Sequence, residues 1–218
     1  VLDPIQLGIT SLTGDPYDIG LIRAHCHVDE QPGTLQDTLL LLYMQSAIAW
    51  AEGEMHRTIF SRSHQWVLRH FPFDWLPVIR LPRGKTQSVE SIQYWNNAIL
   101  MTLLGPDASP PGTDFQQSII GDDGGELLPP ISGAWPNSDL NVPAPVTINF
   151  TAGWGTSQVP ADITQALMFY VSDCMEMRGT ADVEKGSYAD IRANKISAYT
   201  LNRIYGPPEI WPPAGPRW

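Results

Sequence analysis

The clearest periodicity in the chain lies between Val146 and Met177, VTINFTAGWGTSQVPADITQALMFYVSDCMEM. Val146, Ile148 and Phe150 alternate with Thr147, Asn149 and Thr151, the period-two pattern of a strand with one buried face. Gly153 and Gly155 flank Trp154 and supply backbone freedom where the chain turns back from a sheet. Pro160 suits a helical first turn, which has no use for the missing N–H. Ile163, Ala166, Leu167, Tyr170, Val171, Cys174 and Met175 then recur at three-and-four spacing. They form one apolar stripe on a helix of roughly five turns.

Upstream, Asp18 to Cys26 reads as a short helix after the Gly14-Asp15-Pro16 turn, weakened by Gly20. Thr34 as N-cap, with Asp37 three residues on in capping-box position, opens a helix that runs to about His56. Leu35, Leu39, Leu42, Ser46, Ala49 and Gly53 trace one side, and Leu40, Leu41, Tyr43, Ala47 and Ile48 broaden it. A helix this apolar is expected to be buried on several sides, against the Pro160 helix or a neighbouring subunit.

From Thr58 the period shortens. The runs 58–71, 78–81, 88–95, 99–103, 115–120 and 146–151 are separated by Pro, Gly, Asn and Asp, as in an antiparallel sheet folded into a sandwich or small barrel. Gly105 to Asp114 reads as a projecting loop and Asp122 to Glu126 as a hairpin turn. Tyr188 to Tyr205 forms a further helix with Ile191, Lys195, Ala198 and Tyr199 on one side. The chain ends GPPEIWPPAGPRW, an extended polyproline-like path on which Ile210, Trp211 and Trp218 are apolar anchors for a partner or neighbouring subunit.

The expected class is therefore α+β. A helical part spans 1–57, a β-rich insertion 58–155, a helix completing the helical body 156–180, and a C-terminal helix with its arm 181–218.

Composition narrows the function. With 23 Asp and Glu against 13 Lys and Arg, the net charge of -10 argues against tight binding to phosphate backbones. Cys26 and Cys174 are too few for a disulfide framework, so two reduced thiols in a cytoplasm-made protein are expected, with a single disulfide as the alternative. The N-terminus lacks the pattern of a signal peptide, and the apolar run Leu39 to Met44 ends at Gln45 and Ser46, far short of a membrane span.

Candidate chemistry changes little. His25-Cys26-His27 with Asp29 and Glu30 has the wrong spacing for common zinc sites. His56, His64 and His70 read as surface residues, and Asp122-Asp123-Gly124-Gly125-Glu126 lacks the spaced oxygens of a calcium loop. Asn149-Phe150-Thr151 is a glycosylation triplet inside a strand. No phosphate loop, nucleophile elbow or His-Glu-x-x-His is present. No catalytic residue, metal or cofactor is expected. Eight tryptophans raise one alternative, a β-sandwich carbohydrate-binding or adhesion module using Trp66, Trp75, Trp95, Trp135 and Trp154 as a stacking platform; most read better as core or subunit contacts.

A strand ending Phe150-Thr151-Ala152-Gly153-Trp154-Gly155, then Val159-Pro160 and an amphipathic helix, resembles the head-to-tail connector or adaptor proteins of tailed bacteriophages, also found in phage-like gene transfer particles. Leu81-Pro82-Arg83 followed by Gln87-Ser88-Val89-Glu90-Ser91-Ile92 is similar to a second segment of that family, and Ala134-Trp135-Pro136 to a third. The succession covers about Tyr17 to Arg178, in family order, and stops before the arm.

The resemblance implies a non-enzymatic virion protein of the neck, made in the host bacterial cytoplasm. It implies a homo-oligomeric ring, usually twelvefold, that binds the portal protein, extends the channel for passing double-stranded DNA without holding it, and receives a tail-side stopper or tail terminator. An acidic lumen would repel that DNA. Tyr205, Ile210, Trp211, Arg217 and Trp218 are the expected portal contacts. Leu39, Leu42, Tyr43, Leu167, Tyr170 and Cys174 are expected in ring contacts or the helical body, and Gly153, Trp154, Gly155 and Pro160 form the family-like turn.

Overall fold

The structure, a computed structural model, describes residues 4–9, 16–29, 33, 35–72, 77–107, 111–118, 124–131, 133–176 and 189–200. The elements run β1 (Pro4–Ile9), α1 (Ile19–His25), α2 (Leu35–Met55), β2 (Arg62–Leu68), β3 (Ile79–Arg80), β4 (Thr86–Asn96), β5 (Ile99–Leu103), β6 (Gln116–Ser118), β7 (Glu126–Leu128), β8 (Val146–Ala152), a 3-10 turn (Thr156–Gln158), α3 (Ala161–Glu176) and α4 (Ala189–Ser197). The α+β class holds. None of the described helices is long and apolar enough to cross a membrane.

Strand β8 lies at the centre of a five-stranded antiparallel sheet in the order β1-β2-β8-β4-β5. Its alternation is realised as read: Val146, Ile148, Phe150 and Ala152 are buried, and the residues between them are partly exposed. A smaller antiparallel sheet runs β3-β7-β6. Both sheets feed one apolar cluster, with Trp66, Ile92 and Ile148 from the larger, Ile79 and Leu127 from the smaller, and Phe71, Phe115 and Trp135 between elements. No closed barrel forms among the described residues.

A second cluster belongs to the helices. Leu40, Met44, Ala47, Ile48, Ala51 and Met55 of α2 pack with Ile163, Ala166, Leu167, Met168 and Val171 of α3, joined by Ile22 of α1 and Ile196 of α4. This corrects the reading of α2: Leu35, Leu42, Ser46, Ala49 and Gly53 are its exposed side. An apolar residue on every side leaves no stripe to orient the helix, and the facing helix α3 decides.

The N-terminal part also departs from expectation, since β1 pairs antiparallel with β2 at the sheet edge. The alternation Ile5, Leu7, Ile9 was too short to announce it. Asp37 caps one residue earlier than a capping box would: its carboxylate accepts from the Gly33 N–H at 2.6 Å and from Arg23 at 2.5 Å, tying α1 to α2. The Gly33 N–H first, then the Arg23 guanidinium, hold that carboxyl below the usual range.

His64 is not at the surface. It is buried on β2, stacked on Phe150 with ring centroids 5.2 Å apart, and its Nε2 lies 3.1 Å from the Thr58 hydroxyl. Burial, reinforced by Arg62 and Arg83, lowers its pKa from 6.5 to about 4. Between those values the unfolded chain binds the proton and the folded chain does not, so stability is full above the unfolded value and is lost as pH falls toward the folded one. Thermal melts should show roughly 3 kcal/mol less stability at pH 4 than at pH 7 from this residue. A His64→Gln variant should flatten that portion of the profile; an unchanged slope in the variant would exclude His64 as its source.

Candidate functional site

Two cores in one chain need a border, and the backbone crosses it at Gly153. Ala152 belongs to the sheet cluster and Trp154 to the helical one. Neither helix nor sheet ladder runs through the border, so its amide groups must find partners elsewhere. Trp154 N–H donates to Ile59 O at 2.8 Å, Ser61 N–H donates to Trp154 O at 2.9 Å, and Gly153 N–H donates to Lys85 O at 2.8 Å. Thr58 N–H donates to Arg83 O at 3.1 Å, and the Gln87 side-chain amide donates to Gly153 O at 2.7 Å. Gln87 and the neighbouring Lys85 therefore meet the Gly153-Trp154 turn in space, and Arg83 reaches the same border through Thr58. The third similar segment does not: Trp135 stacks on Phe71 inside the sheet core, its indole N–H donating to Pro77 O.

Of the two glycines that flank Trp154, Gly153 alone needs to be glycine. Its φ is 113°, and a Cβ there would sit 2.6 Å from the carbonyl carbon and oxygen of Phe60. Gly155, read as a second flexible point, is in an ordinary extended conformation with room for a side chain. Pro160 stands one residue before α3 rather than inside its first turn, and its carbonyl accepts from Thr164 N–H at 3.2 Å.

The border also holds α4. Buried Arg57 lies over the Trp154 ring, 5.6 Å from its centroid, and its Nε donates to Tyr199 O. Tyr199 meets Trp154 edge-on at 6.3 Å. Earlier in α4, Arg192 pairs with buried Asp173 and covers Trp50 and Tyr170, themselves stacked at 5.5 Å. Arg192 and Ile196 thus face inward; of the side expected for this helix, Ile191 and Ala198 are exposed, whereas Lys195 is half-buried and Tyr199 packs on the helical core. Arg192 turns inward where its charge finds Asp173 and its guanidinium finds the faces of Trp50 and Tyr170. Arg57 and Arg192 carry no motif in sequence; only the fold gathers their partners.

The remaining site residues divide. Leu167 is fully buried within the chain's own helical core, Tyr43 and Tyr170 pack at its margin, and Leu39 and Cys174 are half-buried. Leu42 is exposed. Tyr205, Ile210, Trp211, Arg217 and Trp218 lie outside the described residues. Cys26 and Cys174 are free thiols, both pushed up by burial. Among the described residues no three His, Cys, Asp or Glu gather as metal ligands. Trp66, Trp135 and Trp154 are buried, Trp95 is partly so and Trp75 lies outside the described residues, so the described tryptophans form no open platform for a sugar.

Three substitutions test this border and the α4 clamp beside it. Gly153→Ala should lose about 2–4 kcal/mol in chemical denaturation through strain and the clash with Phe60, while Gly155→Ala stays within about 0.5 kcal/mol of the parent. Arg192→Met removes the Arg192 partner of the buried Asp173 carboxylate and the cation over Trp50 and Tyr170, and should cost about 2–4 kcal/mol in the same measurement. Equal effects at the two glycines would refute the special role of position 153.

The chain matches no protein-family profile and no curated protein. Solved structures do match. A chain in the neck of an empty gene transfer agent particle, computed with C6 symmetry, superposes with a TM-score of 0.71 at 17% identity, covering 93% of this chain and 98% of that one. A chain in the virion of the native gene transfer agent gives 0.68 at 20% identity with the same coverage, 93% and 98%. One in the native neck, computed with C12 symmetry, gives 0.61 at 20% identity, covering 91% and 98%. Over nearly its whole length, this chain therefore shares the fold of chains found in gene transfer agent necks and virions.

Proposed function

We propose that this chain is a structural protein of the neck of a phage-like particle, a head-to-tail adaptor. Its copies form a ring, twelvefold in this reading, that binds the portal protein, continues the DNA channel and presents a platform to a tail-side stopper or tail terminator. The observation that carries the reading is the fold likeness to neck chains across 93% of the sequence, which agrees with the resemblance read from three separate sequence segments.

Physical chemistry is consistent with each part of it. A net charge of -10 lets DNA pass without being held. The helical body, built on α1, α2 and α3, forms the ring, the outer side of α2 with Leu39 and Leu42 contributing to the contact between copies, and Tyr43, Tyr170 and Cys174 close to it. The arm is the portal contact, through Tyr205, Ile210, Trp211, Arg217 and Trp218. Tyr199, which precedes the arm in sequence, is held by Arg57 and Trp154 at the border between the cores.

Native mass spectrometry of the full chain mixed with its portal should show a multi-subunit ring bound to the portal. Deleting Gly206 to Trp218 should weaken that attachment by at least about tenfold and leave the melting temperature unchanged. A chain that stays monomeric beside the portal would refute the adaptor reading; undiminished attachment after the deletion would refute the role of the arm.

A further inference from the structure

The hairpin of β4 and β5 presents an unusual surface. Asn97 and Ala98 form its two-residue turn with φ of 51° and 61°, the mirror-image turn that suits strand twist. Beyond the turn β5 is an edge strand, paired only with β4, and Ile99, Leu100 and Met101 are 61%, 48% and 43% exposed. Met101 stands opposite buried Tyr94 on the core face of the sheet and Leu100 opposite Trp95 on the other, so the tip is apolar on both faces. Asp139 ties the next loop to it: its N–H donates to Trp95 O and its carboxylate accepts from Ala98 N–H, each at 2.8 Å. Leu140, 63% exposed, follows directly.

Edge strands are ordinarily protected by charge, proline or a covering element. From Ser91 to Leu104 there is neither a charge nor a proline. The Trp95 N–H and C=O bond to Pro145 O and Asp139 N–H, away from β5, which makes Trp95 and Leu100 a non-hydrogen-bonded pair. The backbone groups of Leu100 and Thr102 consequently point outward from the sheet edge.

We propose that this hairpin tip is a contact between protomers, occupied by a second copy of the chain. The inference rests on the ring reading above and identifies the other half of its contact. Ring closure is heterologous, so each copy must offer two different patches. The described surface has a second apolar concentration, on the helical body, where Leu21, Leu35 and Leu42 are exposed and α2 carries no charge from Thr38 to Ala51. Copies of net charge -10 repel one another over most of their surface and meet at least cost where both faces are uncharged. The hairpin of one copy therefore lies against the α1 and α2 face of the next.

The test places a photo-crosslinking residue at Leu100 of the full chain, mixes isotopically light and heavy copies with the portal, and maps crosslinked peptides. Light-to-heavy crosslinks into the peptide holding Leu35 and Leu42 are expected, with none from the same probe at exposed Ile131. Rings whose Leu100 crosslinks reach only the portal, or only the same copy, would overturn the inference. In parallel, Leu100→Asp with Met101→Asp should cut ring yield about tenfold or more with an unchanged monomer melting temperature. Leu140→Asp, on a separate loop, supplies the same readout should the double variant fold poorly. Normal ring yield in the folded variants overturns the hairpin contact and leaves the ring standing, whereas absence of rings from the unmodified chain removes the ring reading itself and this inference with it.

Discussion

The backbone of Gly153 and Trp154 passes from one hydrophobic core to another, and its hydrogen bonds to residues 59, 61 and 85 are what make a helical body and a β body into one molecule. A border of this kind is exposed to a specific failure: amides that leave a sheet and have not entered a helix are buried without partners. Here three strands of irregular chain satisfy one another. The cost falls on glycine positions: a Cβ on Gly153 would meet the Phe60 carbonyl, and Gly84, with φ of 79°, lies close against Arg57. Trp154 then acts as the keel of the helical side, receiving Arg57 on its face and Tyr199 at its edge.

How much of this could be read in advance depended on whether a pattern was one-sided. Strand β8 alternates strictly, and its buried face follows from that alternation. Helix α3 carries a single stripe, and Ile163, Ala166, Leu167 and Val171 are buried as read. Helix α2 is apolar all round, so its orientation is set by what packs against it, and the reading chose the exposed side. Helix α4 failed for a different reason: Arg192 is drawn inward by Asp173, Trp50 and Tyr170, residues far away in sequence. His64 shows the same limit, since nothing local distinguishes a buried histidine from an exposed one. The meeting of Gln87 with Gly153 was visible only as two separate resemblances; their contact is a product of the fold.

The arrangement suits a component that must hold its shape under load. The two cores are joined by backbone bonds and a buried arginine rather than by a flexible linker, and the last described residues are clamped to that same border. The likeness to neck chains at 17–20% identity fits this division, because a fold held by backbone geometry and two cores tolerates wide change in surface residues.

The most direct measurement is electron cryo-microscopy of intact particles from the producing cells, averaged about the neck axis. The proposed function predicts a ring of density between portal and tail into which this chain fits with both cores, one copy per symmetry unit. A neck fully accounted for by other proteins, with this chain absent from the purified particles, would contradict it.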